Sequence, residues 1–148
     1  MEMRKTDTSY GIIPLRQTSS GYEVLLIEQH SRINDNTYWV FPKGHPESDE
    51  QPQATASREL AEETGLVPAA FLDVPPFVLE YTFRFAGDLI DKRVEFYLAR
   101  IEETEPVIDG DEVVAAVWLP LAEAEERLDY QNTRTMFAAV RQYIEEKL

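Results

Sequence analysis

Hydrophobic period switches back and forth along this chain, and the switches restrict its fold more than composition does. Tyr10–Leu15 and Tyr22–Ile27 are rich in β-formers and flank the polar Gln17–Gly21, so Ser9 to Gln29 reads as a β-hairpin. A polar loop from His30 to Asn36 leads to a short β-rich piece, Tyr38–Phe41, which Pro42 and Gly44 end. The pattern then turns helical from Asp49 to Gly65, with acids expected in the first turn and Gly65 as the C-terminal stop. Alternation returns in Phe77–Phe85 and Lys92–Ile101, on either side of Ala86-Gly87-Asp88, and Val113–Leu119 reads as a buried strand ending at Pro120. Leu121–Leu128 and Thr133–Leu148 read as helices, the second with Met136, Phe137, Val140, Tyr143, Ile144 and Leu148 on one stripe. The order β-β-β-α-β-β-β-α predicts an α/β fold, a mixed sheet with helices packed against it. With 148 residues and no repeat or Gly/Ser linker, the chain is expected to form one domain over 1–148, large enough to fold without a disulfide or structural metal.

Composition narrows the function. Zero cysteines exclude a disulfide scaffold, a thiolate zinc site and thiol catalysis. Met1 to Tyr10 is polar and charged, and no apolar run approaches the roughly 18 residues of a membrane span, so no membrane partner and a cytoplasmic location are expected. The formal charge of -14 argues against long nucleic acids, whose binding depends on Lys and Arg. The acid is uneven: Gly44 to Leu66 holds six acids and one Arg, and Glu102 to Glu112 holds six acids and no base. The Met136–Leu148 stripe is expected to pack on the sheet; monomer and homodimer both stay open.

The helical acids can be placed by geometry. At about 100° per residue from Arg58, Glu62, Glu59 and Glu63 fall near 40°, 100° and 140°, while Leu60, Thr64, Ser57, Ala61 and Ala54 fall between about 200° and 320°. The second group is expected to pack on the sheet and the acids to share the opposite, accessible face. None of these acids has a Lys or Arg four residues further on, Arg58 being their only basic neighbour, and Glu59 and Glu63 repel each other. Clustered carboxylates short of counterions suit hard divalent cations, and magnesium prefers carboxylate oxygens together with water and substrate phosphates.

Gly44, five residues, Glu50, seven residues, then Arg58-Glu59-Leu60-x-Glu62-Glu63-x-Gly65-Leu66 resembles the Nudix box at every defined position. The resemblance implies the Nudix fold, an α/β/α sandwich with the mixed sheet between helices, over essentially the whole chain. It also implies magnesium-dependent hydrolysis of a nucleoside diphosphate linked to another group, with manganese able to substitute. Carried over by position, Glu59, Glu62 and Glu63 are metal ligands, Glu59 also activating or orienting the attacking water, and Glu63 counts among the catalytic set. Lys43 would offer its backbone carbonyl to metal, Arg58 would hold the glutamates by ion pairs, and Glu50 would brace loop and helix.

Tyr38-Trp39-Val40-Phe41-Pro42-Lys43-Gly44-His45 resembles a segment of one Nudix branch, the asymmetrical bis(5'-nucleosyl)-tetraphosphatases. That resemblance implies cleavage of diadenosine tetraphosphate to ATP and AMP, with Lys43 and His45 on the polyphosphate. Tyr81 and Lys92 resemble the branch's nucleotide-lining aromatic and phosphate-path cation, and Tyr130 with Asn132 resembles the C-terminal part of the nucleotide pocket. Glu112, six positions before Trp118, is the candidate acid outside the box helix, and Glu95 competes for that role. The branch commonly has a glycine before the loop glutamate; here Ser48-Asp49-Glu50 stands there, so the loop is expected to bend differently. Rival substrates are a nucleoside triphosphate, a 5'-triphosphorylated RNA end or a diphosphoinositol phosphate, and the rival class is an inactive nucleotide-binding regulator.

Overall fold

The computed structural model describes residues 2–148. Eight strands form one mixed sheet, and its order follows from which segments can bury both faces. The central strand β1 (Arg4–Thr18) runs parallel to β7 (Asp88–Arg100) over twelve matched pairs, Arg4 with Leu89 through Leu15 with Arg100. The hairpin expected from the Gln17–Gly21 turn is present, joining the end of β1 to β2 (Gly21–His30). β2 in turn pairs antiparallel with β3 (Thr37–Val40) and with β8 (Val113–Pro120). A two-residue strand, β4 (Lys43–Gly44), pairs with Tyr10 and Gly11 of β1. On its other edge β7 carries β5 (Ala70–Phe71) and β6 (Phe77–Phe85).

Strand alternation divides the apolar residues between two cores. Ile13, Leu15, Val24, Leu26, Val94, Phe96 and Leu98 meet Phe137, Val140 and Ile144 on one face, which α2 (Leu121–Arg127) and α3 (Gln131–Lys147) cover. Ile12, Leu25, Ala99 and Ile101 meet Ala56, Leu60 and Leu66 on the other, under α1 (Pro52–Thr64). This is the expected α/β/α sandwich. No helix among the described residues is long and apolar enough to cross a membrane.

Several boundaries depart from the pattern. β1 starts at Arg4, well before Ser9, because its polar first residues are paid for by cross-strand charge pairs: Arg4 with Asp91 at 2.7 Å and Lys5 with Asp88 at 2.7 Å. α1 starts at Pro52 with Gln51 as N-cap, so its first turn holds no acid, and Pro52 supplies the favoured first-turn proline instead. Gly65 does stop the helix, in the left-handed conformation with φ 75°. Leu148, expected on the buried stripe of α3, is exposed beyond the last turn.

Candidate active site

The acidic face of α1 is not the outward face. Thr55, Ala56, Leu60 and Thr64 are its buried residues, whereas Ala54 and Ala61 are exposed. The buried arc is therefore centred closer to Glu59 and Glu63 than the helical count suggested, and those two carboxylates turn toward the sheet. Only Glu62 stays outside, with 56% of its side chain exposed. The count failed because Ala54 and Ala61, apolar yet small, were placed inside, while Thr55 was not considered. Thr55 is buried because its hydroxyl donates to Glu50 Oε1 at 2.8 Å.

Two glycines let the sheet approach this helix. A Cβ on Gly44 would lie 2.1 Å from the carboxyl carbon of Glu59, so the Glu59 head group fills the space a side chain would take. A Cβ on Gly11 would lie 2.3 Å from the carbonyl oxygen of Pro42, so the loop carrying Lys43 can sit on β1 only over a glycine.

Arg58 organises the acids. Its guanidinium donates through Nε to Glu50 Oε2 at 2.9 Å and through Nη2 to Glu50 Oε1 at 3.0 Å, a bidentate pair. Nη1 donates to Glu59 at 3.0 Å and Glu62 at 3.2 Å, and Nη2 also reaches the His45 carbonyl at 2.8 Å. One side chain thus ties helix, loop and three carboxylates together. Arg58, with a bond from the Glu47 backbone N–H, holds Glu50 down to a pKa of about 2, and Glu50 in turn raises that of Arg58. The loop before Glu50 turns through Asp49 at φ 62°. The chain thus takes there the left-handed backbone that a glycine accepts without steric cost, and the bend does not need the missing glycine.

Glu63 has no such neutraliser. Gln29 donates to its Oε1 at 3.1 Å, while Oε2 is buried with no hydrogen-bond partner. Burial, reinforced by Glu59, pushes its pKa up to about 8. Burial likewise raises the pKa of Glu59 against the opposing pull of Arg58. Lys43 moves the other way: burial, then the nearby charge of Lys92, lowers it to about 8.

These groups line a cleft of about 390 Å³. Lys43, His45, Arg58, Glu59, Glu62, Glu63 and Glu112 of the expected residues face it, with Glu50 behind Arg58. Glu112 is exposed, with Arg32 3.6 Å away, whereas Glu95 is held by Arg93 at 3.0 Å and does not face the cleft. Tyr81, Lys92 and Tyr130 lie outside the cleft wall. Lys92 is buried and donates to Asp7 at 2.8 Å and Ser9 at 2.5 Å, and Tyr81 sits directly across from it on β6, half-buried against the core. Tyr130 is partly exposed and stacks on Tyr38 with ring centroids 5.0 Å apart, while Asn132 only accepts a local bond from Thr133. Gln29, Arg32, Asp109 and Asp7 are additions that sequence patterns did not single out. Their side chains belong to strand ends and loops, where only tertiary pairing decides what they meet.

A family model for the NUDIX domain matches residues 5–140. The chain belongs to the Nudix family. Among curated relatives it is 35% identical over 98 residues to a candidate mutator protein, MutT4, of Mycobacterium tuberculosis, a match covering 66% of this chain and 39% of that protein. It is 27% identical over 134 residues to the mouse asymmetrical bis(5'-nucleosyl)-tetraphosphatase, covering 90% of this Nudix chain and 87% of that protein. The match to a second Nudix relative, Nudix hydrolase 25 of Arabidopsis thaliana, covers 49% of it, so the chain spans half or less of the first two relatives' length. In fold it resembles a C. elegans Ap4A hydrolase binary complex, with TM-score 0.73, 16% identity, and coverage of 93% of this chain and 97% of that one. It equally resembles the NUDIX domain of Shewanella oneidensis NrtR complexed with ADP ribose, with TM-score 0.73, 19% identity, and coverage of 96% and 88%.

Proposed function

We propose that this Nudix chain is a divalent-metal-dependent pyrophosphohydrolase that cleaves dinucleoside polyphosphates, diadenosine tetraphosphate in the first place, to ATP and AMP. The observation that carries the metal-dependent chemistry is Glu63, a buried carboxylate with one oxygen unpartnered and a second carboxylate, Glu59, as neighbour. A donor set made only of oxygens, short of hydrogen-bond donors and beside an open cleft, fits a hard cation such as magnesium, or manganese in its place. Glu59, Glu62 and Glu63 would hold it, with Glu112 and the Lys43 carbonyl as further donors. Such an ion, when bound, neutralises phosphate oxygens and lowers the pKa of water.

The protein's own groups would do the rest. Glu59 would orient the attacking water by accepting its proton, and Arg58, braced by Glu50, would keep Glu59 and Glu62 at their stations. The Lys43 ammonium and the His45 imidazole would meet the polyphosphate, where a point cation suits a chain of phosphate oxygens. Tyr81 and Tyr130 are the proposed aromatic surfaces for a base, a contact worth roughly 1 to 3 kcal/mol per base. The choice of dinucleotide is supported by the Trp39 to His45 segment and by the length-spanning similarity to the mouse tetraphosphatase.

Product analysis in heavy-oxygen water tests the reaction. ATP and AMP, with the label in one of them and only when magnesium is present, are expected. Two ADP molecules, or no cleavage with magnesium, would overturn the reading. Glu59→Gln and Glu63→Gln should each lower kcat by orders of magnitude with the fold intact. A comparison of kcat/KM across a nucleoside triphosphate, a triphosphorylated RNA end and a diphosphoinositol phosphate decides the substrate.

A further inference from the structure

The N-terminal half of β1 contributes no box residue and no part of the cleft wall, yet one of its side chains touches His45, which lines the cleft. Asp7 is paired in register with Lys92 on the parallel neighbour β7. Odd-numbered β1 residues share a face, so Asp7 and Ser9 continue the row that ends in Ile13 and Leu15 of the core under α3. At the open end of that row stands Lys92, with only 5% of its side chain exposed. Its three ammonium hydrogens have three neighbours: Asp7 Oδ2 at 2.8 Å, Ser9 Oγ at 2.5 Å and His45 Nε2 at 3.2 Å. Asp7 Oδ2 is also 2.9 Å from the same His45 nitrogen.

Nε2 can accept from Lys92 or donate to Asp7 but not both; in either case Lys92 keeps Asp7 and Ser9 as partners and lies buried outside the cleft wall, out of reach of substrate. His45 is fixed at both ends, by Arg58 on its carbonyl at 2.8 Å and by the Asp7–Lys92 pair on its imidazole. The first contact ties it to the acidic helix, the second to the sheet. The imidazole's other nitrogen, Nδ1, has no protein partner among the described residues and belongs to a side chain that lines the cleft.

We propose that Asp7 is a positioning residue: it holds the buried Lys92 ammonium, and the pair holds the His45 imidazole by Nε2, so that Nδ1 is presented to the substrate's polyphosphate. This rests on the reading of His45 as a phosphate-facing group. Lys92 acts through His45 and not by touching phosphate itself. The pair needs both members, because a buried ammonium that loses its carboxylate would draw on the imidazole or on solvent instead.

The test uses the full chain and Asp7→Asn, which keeps size but removes the charge, with Asp7→Glu as the conservative variant. The protein has two histidines, His30 and His45, so the imidazole nitrogen and proton signals of His45 can be assigned by elimination with His30→Gln. In the unmodified protein the His45 Nε2 nitrogen signal should report a hydrogen bond, and Asp7→Asn should lose it. With diadenosine tetraphosphate and magnesium, Asp7→Asn should raise KM on the order of ten-fold and change kcat less, and Asp7→Glu should recover part of the loss. In a His45→Ala background, Asp7→Asn should add nothing further to the loss in kcat/KM, since coupled residues are non-additive. Unchanged His45 signals in Asp7→Asn, or the same loss with and without His45, would overturn the proposal. If Asp7→Asn does not fold, a His45 Nε2 nitrogen signal in the unmodified protein that reports no hydrogen bond overturns it alone. The imidazole measurement needs no substrate, so an inactive protein would refute the assigned reaction and leave this result to stand separately.

Discussion

Two glycine-to-alanine changes, 33 positions apart in sequence and neighbours across the β1–β4 pairing, should separate catalysis from stability. At Gly44 the added methyl would start 2.1 Å from the Glu59 carboxyl carbon, and ordinary contact begins at 3.4 Å. The obstacle is the end of a flexible side chain, so the fold can yield there: the Glu59 carboxylate must retreat by roughly 1.3 Å, and misplacement on the 1 Å scale costs on the order of 100-fold in rate. The retreat leaves core packing untouched, so Tm should fall by no more than about 3 °C. At Gly11 the methyl would start 2.3 Å from the Pro42 carbonyl and 2.9 Å from the buried Phe96 ring, obstacles of backbone and core. Overpacking of that kind costs about 1 to 3 kcal/mol, which for a chain of this length lowers Tm by about 3 to 10 °C. Magnesium-dependent turnover of diadenosine tetraphosphate and thermal unfolding followed by circular dichroism read the two effects. Gly44→Ala with near-normal kcat, or with a larger loss of Tm than Gly11→Ala, would refute the claim that Gly44 exists to admit the Glu59 carboxylate.

Acid unfolding should report the Glu50–Arg58 brace. Glu50 has its folded pKa depressed to about 2 from an ordinary 4.5, so its contribution is fully present above pH 4.5 and is lost as pH falls through about 2. Glu50→Gln should lower stability at pH 7 and flatten the acid limb between those values; an unchanged limb in urea titrations would contradict the pairing. Asp49→Gly should raise stability by about 0.5 kcal/mol, since relief of a left-handed φ of 62° is worth about 1 kcal/mol and the freer unfolded chain takes back about half. A fall in Tm for that variant would show that Asp49 has a compensating contact.

Much of this molecule was legible in advance, and the failures have physical causes. The hairpin at Gln17–Gly21, the β6–β7 pair and the apolar stripe of α3 all follow from period and turn residues, which are local properties. β1 could not be read back to Arg4, because a strand of alternating charge is stable only if the opposite strand supplies Asp88 and Asp91. β5 is two residues long and exists only by pairing with Ala99 and Arg100 of β7, so it carries no pattern of its own. The box residues were identified individually, but the orientation of Glu59 and Glu63 was misjudged by assuming that charge faces solvent. Asp7 and Gln29 could be found only once strand register placed them beside His45 and Glu63.

That misjudged orientation explains how the cluster is divided. A helix presenting three solvated glutamates would need no counterion, because water would screen them. Turned toward the sheet, the glutamates split between two kinds of compensation. Arg58 neutralises the outer side, reaching Glu50, Glu59 and Glu62 with one guanidinium. It cannot also reach Glu63, which lies one residue further round the helix and behind Glu59, and the nearest cation, Lys43, is itself destabilised as a charge by burial. The inner side is left with Glu63, whose charged form burial disfavours and whose buried Oε2 no protein donor satisfies. A divalent cation bound there, as proposed above, would favour the charged carboxylate and reverse the local potential, so that a polyphosphate could enter a cleft walled by acids. On that proposal the same buried carboxyl that weakens the metal-free fold would supply affinity for metal and substrate together.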